Sequence, residues 1–546
     1  MARESPRVSK LALLALAGVV GQVQGAYVWP SRHDVLEDML AMQSGIRHAG
    51  FTDVIVPCGA SGNQVGIQKS AEWVRTAFHD MATHDAAAGT GGLDASIMYE
   101  VSRSENEGDA FDHTLGDLAE FVTPETSASD LIALGLVASM ASCGGLKIPY
   151  RTGRVDAVVA GPLGVPLHTD PLDKMVAAFD RMGFTRAEMI GLVACGHSIG
   201  QVHSVDFPDL VKGSPGPANV ASFDRTPNAF DTSVVDEYLS GDGVNPLVFG
   251  ANETTNSDAR IFGADGNATM RALADPPTFS STCTSLLGRM IDKVPSGVSL
   301  TEPLELQDIK PYVDKLQPDA GASTLLFQGS VRVRTTGRDA EALTVALDVA
   351  DRAGGRSVVP TTRSRFRGGQ SYGFFNEQFT WFDFSAQLPA DAAIASFNIK
   401  VTDATDGGST KTYDNNGHPG GYPVQSDLLF LDGDSCLNTN IVDGNMTMRV
   451  TAAVRTGGEG EKRSTPTPVV NMAHRVQQPG VTLPRLVMEK VRMRPLNATR
   501  GPYQLYETDI SLEAKGWITS FTLALPRAAG DVVSALVKTN GLSTNC

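Results

Sequence analysis

Near Val298 the chain changes its hydrophobic period, and no single layer of secondary structure can serve both halves. Upstream, apolar residues recur at steps of three and four. Ser127 and Asp130 read as a helix cap ahead of Leu131, Leu134, Leu136 and Val137. Thr185 and Glu188 read as a capping box ahead of Ile190, Val193 and His197. Downstream, the runs 325–333, 342–349, 374–384, 393–401, 446–454 and 517–525 are short, alternating and rich in β-branched or aromatic residues, with Gly, Asp, Asn and Pro between them. The pattern predicts a multidomain α + β protein. A mainly α-helical domain should cover 26–305, and an all-β, sandwich-like domain, either one unit or two in tandem, should cover 306–546.

Residues 1–25 read as a secretory signal. Arg3, Arg7 and Lys10 precede a short apolar run over 11–20, and Val23 and Gly25 satisfy the small-residue cleavage rule. That run is too short to span a bilayer, and no later stretch is long enough. A secreted, extracellular protein without a membrane span is expected. With 45 basic and 61 acidic residues the formal charge is −16, which argues against nucleic acid or an anionic membrane as partner. All six cysteines follow the cleavage point, a number compatible with three disulfides in an oxidising compartment. Cys436 and Cys546 are the two in the β-rich half and are expected to pair there. Sequons at Asn252, Asn267, Asn445 and Asn497 permit glycosylation.

Taken in order, an amphipathic helix is expected over 31–44, capped by Ser31 and Asp34. A Gly-rich turn at Cys58 leads into a helix carrying Arg75 and His79, an i, i+4 pair that projects from one side. A loop over 86–96 follows, then the helix after Ser127. Another helix starts at Asp170-Pro171 and stops at Gly183, and the next ends at His197. A long irregular stretch is expected over 204–285. A histidine at the inner end of an apolar helix is a ready axial ligand for haem, although a buried histidine bonded to a carbonyl is the commoner outcome. The Arg75/His79 pair shifts the balance toward haem.

Four motifs stand in series: Arg75-x-x-Phe78-His79-Asp80; Gly91-Gly-x-Asp94-x-Ser96; the helix ending at His197-Ser198; and Phe223-Asp224-x-Thr226-Pro-x-x-Phe-Asp231. In this order they resemble the plant-type haem peroxidases, and within them the secreted fungal class II enzymes, over about residues 27–290. The resemblance implies a haem peroxidase fold with haem b and two Ca²⁺ ions, acting on hydrogen peroxide and small phenol-like reducing substrates. His79 would be the base and then the acid of peroxide cleavage, and Arg75 would stabilise charge on the departing oxygen. Asn106, braced by Glu100, would hold the His79 tautomer. His197 would bind the haem iron. Asp258, in the stretch from Asn256 to Asp265, would accept the other N–H of His197; the alternative places Asp258 and Asp265 on a solvated helix face.

The same resemblance implies a distal calcium set of Asp80, Gly92 (carbonyl), Asp94 and Ser96. The proximal set would be Ser198, Asp224, Thr226, Ala229 (carbonyl) and Asp231. It also implies a Cys58–Cys143 disulfide and leaves Cys195 and Cys283 either bridged or free. Departures narrow the donor. The positions matching the manganese carboxylates of relatives hold Gln68, Glu72 and His203. The surface tryptophan of lignin-type oxidation falls at Leu192, and the proximal radical tryptophan of the cytochrome c peroxidase branch at Phe223. A generic peroxidase is expected, with Trp73, Trp381 or a tyrosine as other electron routes. The alternative function is a non-catalytic binding or adhesion protein on a peroxidase-like scaffold, against which the intact Arg75, His79 and His197 argue. In the β region Trp381, Phe382 and Phe384 share one strand-like run. Exposed, they would suit cell-wall polysaccharide; buried, they would be core.

Overall fold

The structure, a computed structural model, describes residues 27–319, 321, 323–456 and 466–546. The signal expected at 1–25 lies outside the described residues. Helices α1 (Asp34–Ala41), α2 (Lys69–Met81), α3 (Ala110–Leu118), α4 (Ala128–Gly144), α5 (Leu172–Met182) and α6 (Arg186–Gly196) build the first part of the helical unit. Five more follow: α7 (Ser233–Ser240), α8 (Pro246–Phe249), α9 (Ser257–Phe262), α10 (Ala268–Leu273) and α11 (Pro276–Ile291). These last five correct the irregular stretch expected over 204–285. The first four are short and carry little periodicity, and α8 and α11 start on local caps (Asn245 on Leu247 N–H, Asp275 on Thr278 N–H). α1 also begins three residues later than expected, because the Asp34 carboxylate turns back to the Ser31 N–H at 2.8 Å.

Helix α4 is buried nearly all round and forms the spine of the helical core. It meets α2 closely: a Cβ on Gly135 would stand 2.9 Å from Cε3 of the Trp73 indole, so only glycine admits that ring. The capping box of α6 is complete. The Thr185 N–H donates to the Glu188 carboxylate at 2.8 Å, and the Glu188 N–H to Thr185 Oγ1 at 3.3 Å. Together such caps contribute about 1 kcal/mol. The helix they start ends with His197 as its C-terminal cap.

Beyond Ile309 the chain forms two β-sandwiches in tandem. In the first, one sheet runs in the order Ser44–Gly45, Gln370–Tyr372, Gln378–Pro389, Thr324–Arg334, Ile309–Pro318. It faces a sheet centred on Ile394–Asp403 and Leu343–Asp351, over a core that includes Phe327, Leu347, Phe397 and Ile399. In the second, Asn445–Arg455 and Tyr503–Glu513 of one sheet face Val469–Val476 and Ser520–Leu525 of the other, around Met448, Met472, Phe521 and Leu523. A small cluster around Leu325, Leu429 and Tyr503 joins the two. Trp381 is 0 % exposed and donates its indole N–H to Ser371 Oγ; Phe382 and Phe384 are also buried. This run is core, and it offers no aromatic face for polysaccharide.

All six cysteines are paired, as Cys58–Cys143, Cys195–Cys283 and Cys436–Cys546. No helix among the described residues is long and apolar enough to cross a membrane.

The helical unit is tied to both sandwiches. Glu37 and Asp38 of α1 meet two buried cations from the first sandwich. Lys310 Nζ lies 2.9 Å from each carboxylate, and Arg332 donates to Glu37 at 2.5 Å and to Asp38 at 2.9 Å. From the second sandwich, Leu483 enters the helical core, Arg475 donates to the Ala119 carbonyl, and Thr482 contacts Asp112.

Candidate active site

One face of α2, the end of α6 and the loops that join them enclose a cavity of about 510 Å³. Arg75, Phe78 and His79 line it, as do His197, Phe223 and Asp258. The i, i+4 spacing expected of Arg75 and His79 does place both on the cavity.

His79 is fixed from behind. Its Nδ1–H donates to Asn106 Oδ1 at 2.8 Å, which leaves Nε2 with its lone pair as the nitrogen available to the cavity. Asn106 is held in turn by its Nδ2, which donates to the main-chain carbonyl of Glu100 at 3.0 Å. The brace is therefore the peptide of Glu100. Its carboxylate instead accepts the Gly161 N–H at 2.6 Å and pairs with Arg103 at 3.3 Å. Burial, and then the Arg75 charge, push the His79 imidazole down to about 3. It is neutral at ordinary pH. Arg75 donates to the Glu107 carbonyl at 2.7 Å, and its guanidinium stands 4.7 Å above Phe111. Burial lowers its pKa to about 10, so it keeps its charge.

His197 is fixed in the same manner. Its Nδ1 lies 2.8 Å from Asp258 Oδ2, and the ring stacks on Phe223 with centroids 4.1 Å apart. Asp258 is 1 % exposed and also accepts from Asn245 Nδ2 at 2.9 Å and from Ser257 Oγ at 3.2 Å. The buried carboxylate excludes the solvated-face alternative for Asp258. Asp265, by contrast, caps α10 through Ala268 and Thr269. Asn245 and the stacking of Phe223 escape sequence reasoning, since neither belongs to a periodic pattern.

The two acidic sets also come together. The Asp80 carboxylate accepts the N–H groups of Ala95 and Ile97 at 2.7 and 2.9 Å. Burial, with Asp94 beside it, pushes Asp80 well up. Asp94 accepts from the Ser96 N–H at 3.1 Å, the Gly92 carbonyl is buried nearby, and Ser96 Oγ is buried without a hydrogen-bond partner. In the second set Thr226 Oγ1 donates to Asp231 at 3.0 Å and to Asp224 at 3.3 Å. Asp224 Oδ2 is buried and unpartnered, and burial pushes its carboxyl up to about 7. Ser198 Oγ donates to the Cys195 carbonyl, and the Ala229 N–H to the Thr226 carbonyl. Among the described residues no group of three or more His, Cys, Asp and Glu gathers around one point. These sets hold two carboxylates each and would complete a cation shell with hydroxyl and carbonyl oxygens, the donors that Ca²⁺ takes. Orphaned oxygens and crowded carboxylates fit such an ion.

The positions that decide the donor are also placed. Gln68, Glu72 and His203 all line the cavity, but Gln68 is spent on the Pro227 carbonyl at 2.9 Å and Glu72 on His113. Leu192 is buried on the cavity wall, so that position is not at the surface here. Trp73 is buried on α2 and donates to Asp117 at 3.2 Å.

The peroxidase family model matches residues 62–275, the span that contains both histidines. The chain belongs to the plant-type haem peroxidase superfamily. The chain is 35 % identical over 137 residues to a mitochondrial cytochrome c peroxidase of Emericella nidulans, 24 % of this chain and 38 % of that protein. It is 30 % identical over 173 residues to the peroxisomal L-ascorbate peroxidase 5 of Arabidopsis thaliana, 31 % of this chain and 57 % of that protein. A WSC domain-containing protein of Arthroderma benhamiae is 35 % identical over 541 residues, which is 98 % of this chain and 70 % of that protein. That alignment runs through the peroxidase unit and both sandwiches, so the additional C-terminal region is shared.

Proposed function

We propose that this chain is an exported haem peroxidase that reduces hydrogen peroxide and oxidises small phenol-like donors in one-electron steps. The observation that carries the reading is the pair of histidines on one cavity, each with its Nδ1 committed, one to Asn106 and the other to Asp258. Residues and cavity fit haem b: His197 Nε2 would hold the iron, with Asp258 enriching the imidazole, and apolar side chains such as Leu192, Ile261 and Met290 line the walls. The chemistry haem supplies when bound is storage of the two oxidising equivalents of peroxide.

The protein's own residues handle the protons. His79 Nε2 takes the proton from one peroxide oxygen and returns it to the other as it leaves. Its low basicity keeps it neutral and ready to accept. The Arg75 guanidinium beside it offsets the negative charge on the leaving oxygen in a water-poor site. Asp80 and Ser198 each follow one of the histidines, so two bound Ca²⁺ ions would lock both helix ends. Three disulfides and the basic-apolar segment at 1–25 support export to an oxidising, extracellular compartment. Asn252, Asn445 and Asn497 are exposed and suited to glycosylation, whereas Asn267 is half-buried and accepts from Tyr238.

The test is an absorption spectrum of the haem-loaded protein before and after one equivalent of hydrogen peroxide, then after a phenol. A Soret band that drops and shifts, and then recovers, is expected. Haem that ignores peroxide would overturn the catalytic reading.

A further inference from the structure

The cavity contains a titratable pair that the peroxide chemistry leaves idle. Glu72 stands on α2 seven residues before His79, roughly 10 Å away along the helix axis. Its Oε1 accepts the Nδ1–H of His113, on α3, at 2.8 Å, and both side chains line the cavity. Glu72 is buried, at 7 % exposure, while the His113 side chain is 23 % exposed and so touches both cavity and solvent. With Nδ1 committed to the carboxylate, Nε2 of His113 is the acceptor; the exposed amide of Gln64 lies 3.5 Å from it. The charges around the pair are nearly balanced. Lys69 lies 3.7 Å from Glu72 and 3.0 Å from Asp117, and His203 faces the pair from the strand Gln201–His203. Arg75, on the same helix, also acts on Glu72, so the carboxylates of Glu72 and Asp117 stand against two cations.

We propose that His113, oriented by Glu72, is the base that takes the proton of a neutral phenol when that donor is oxidised in the mouth of the cavity. The proposal rests on the peroxidase reading above. In the step the phenolic O–H bond breaks, the proton goes to His113 Nε2, and one electron goes to the peroxide-oxidised cofactor. A phenoxyl radical leaves. The imidazolium, paired with Glu72, then gives its proton to solvent along its exposed edge. His79 is buried in the cavity and taken up with the peroxide protons, whereas the His113 side chain reaches solvent. The division separates peroxide protons at His79 from donor protons at His113.

The test compares two donors on the haem-loaded full chain: guaiacol, which loses a proton with its electron, and ferrocyanide, which loses only an electron. His113→Gln should lower the guaiacol-to-ferrocyanide rate ratio roughly tenfold or more, as expected for loss of a general base. Glu72→Gln should lower it less. In the haem-free protein, imidazole nitrogen NMR should show neutral His113 as the Nδ1–H tautomer, and Glu72→Gln should weaken that preference. Equal losses for both donors, an unchanged ratio, or the Nε2–H tautomer would each overturn the proposal. Wild-type protein that turns over neither donor would sink the peroxidase reading itself, and this proposal with it.

Discussion

Replacing His79 by alanine removes the group that moves the peroxide proton and leaves His197 and Asp258 untouched. Haem should stay bound while peroxide reactivity falls by about two to four orders of magnitude, measurable by stopped-flow absorbance. His197→Ala should instead abolish stable haem retention, and a normal haem spectrum in that variant would remove His197 as the ligand. A third residue-scale prediction concerns Asp224, whose carboxyl burial pushes up to about 7. A bound cation must displace that proton, so calcium affinity should rise as pH increases through 7 and weaken below it. Calorimetric titrations at pH 6 and 8 decide this, and equal affinities would remove Asp224 from the ligand set. Arg75, His79 and His197 were legible because helical spacing fixes which side chains share a face. His113 was not, because α2 and α3 are brought together by packing that no local pattern records.

At the scale of elements, α6 is the plainest case of sequence writing structure. Thr185 and Glu188 announce its start, both halves of the box form, and His197 falls at its end. The short helices α7 to α10 give no such signal, since four to eight residues hold at most about two turns of periodicity. Helix α1 shows a different limit, because its buried Glu37 makes sense only beside Lys310 and Arg332. Burial alone would raise the Glu37 carboxyl; the two cations outweigh it and hold the group down at about 2. A carboxyl depressed from 4.5 contributes stability that is complete above pH 4.5 and is lost as pH falls toward 2. Arg332→Ala should therefore cost about 3–5 kcal/mol in a urea titration at neutral pH, by leaving a buried carboxylate short of a partner. Pairing it with Glu37→Leu should restore much of that loss. A single variant as stable as wild type would show that the cluster does not hold α1.

For the whole molecule, the switch in hydrophobic period near Val298 was enough to separate helical from β structure. It left open whether the β region forms one sandwich or two, because alternation along a strand does not say which strands face each other. The two cores around Phe327 and Met448 answer that. The three units are not beads on a string. A chain ended after residue 305 loses Lys310, Arg332 and Leu483, all of which complete surfaces of the helical unit, and should unfold at markedly lower urea concentration than the full chain. An equal midpoint would show that these contacts are incidental. The contact between Glu37 and Arg332 spans 295 residues of sequence. At ~5–20 residues per second of synthesis, the carboxylate is made roughly 15–60 s before the guanidinium that neutralises it. During that interval Leu36 and Met39 can already pack on the helical core, while the face of the helix that carries Glu37 and Asp38 stays open to water until the sandwich arrives to cover it.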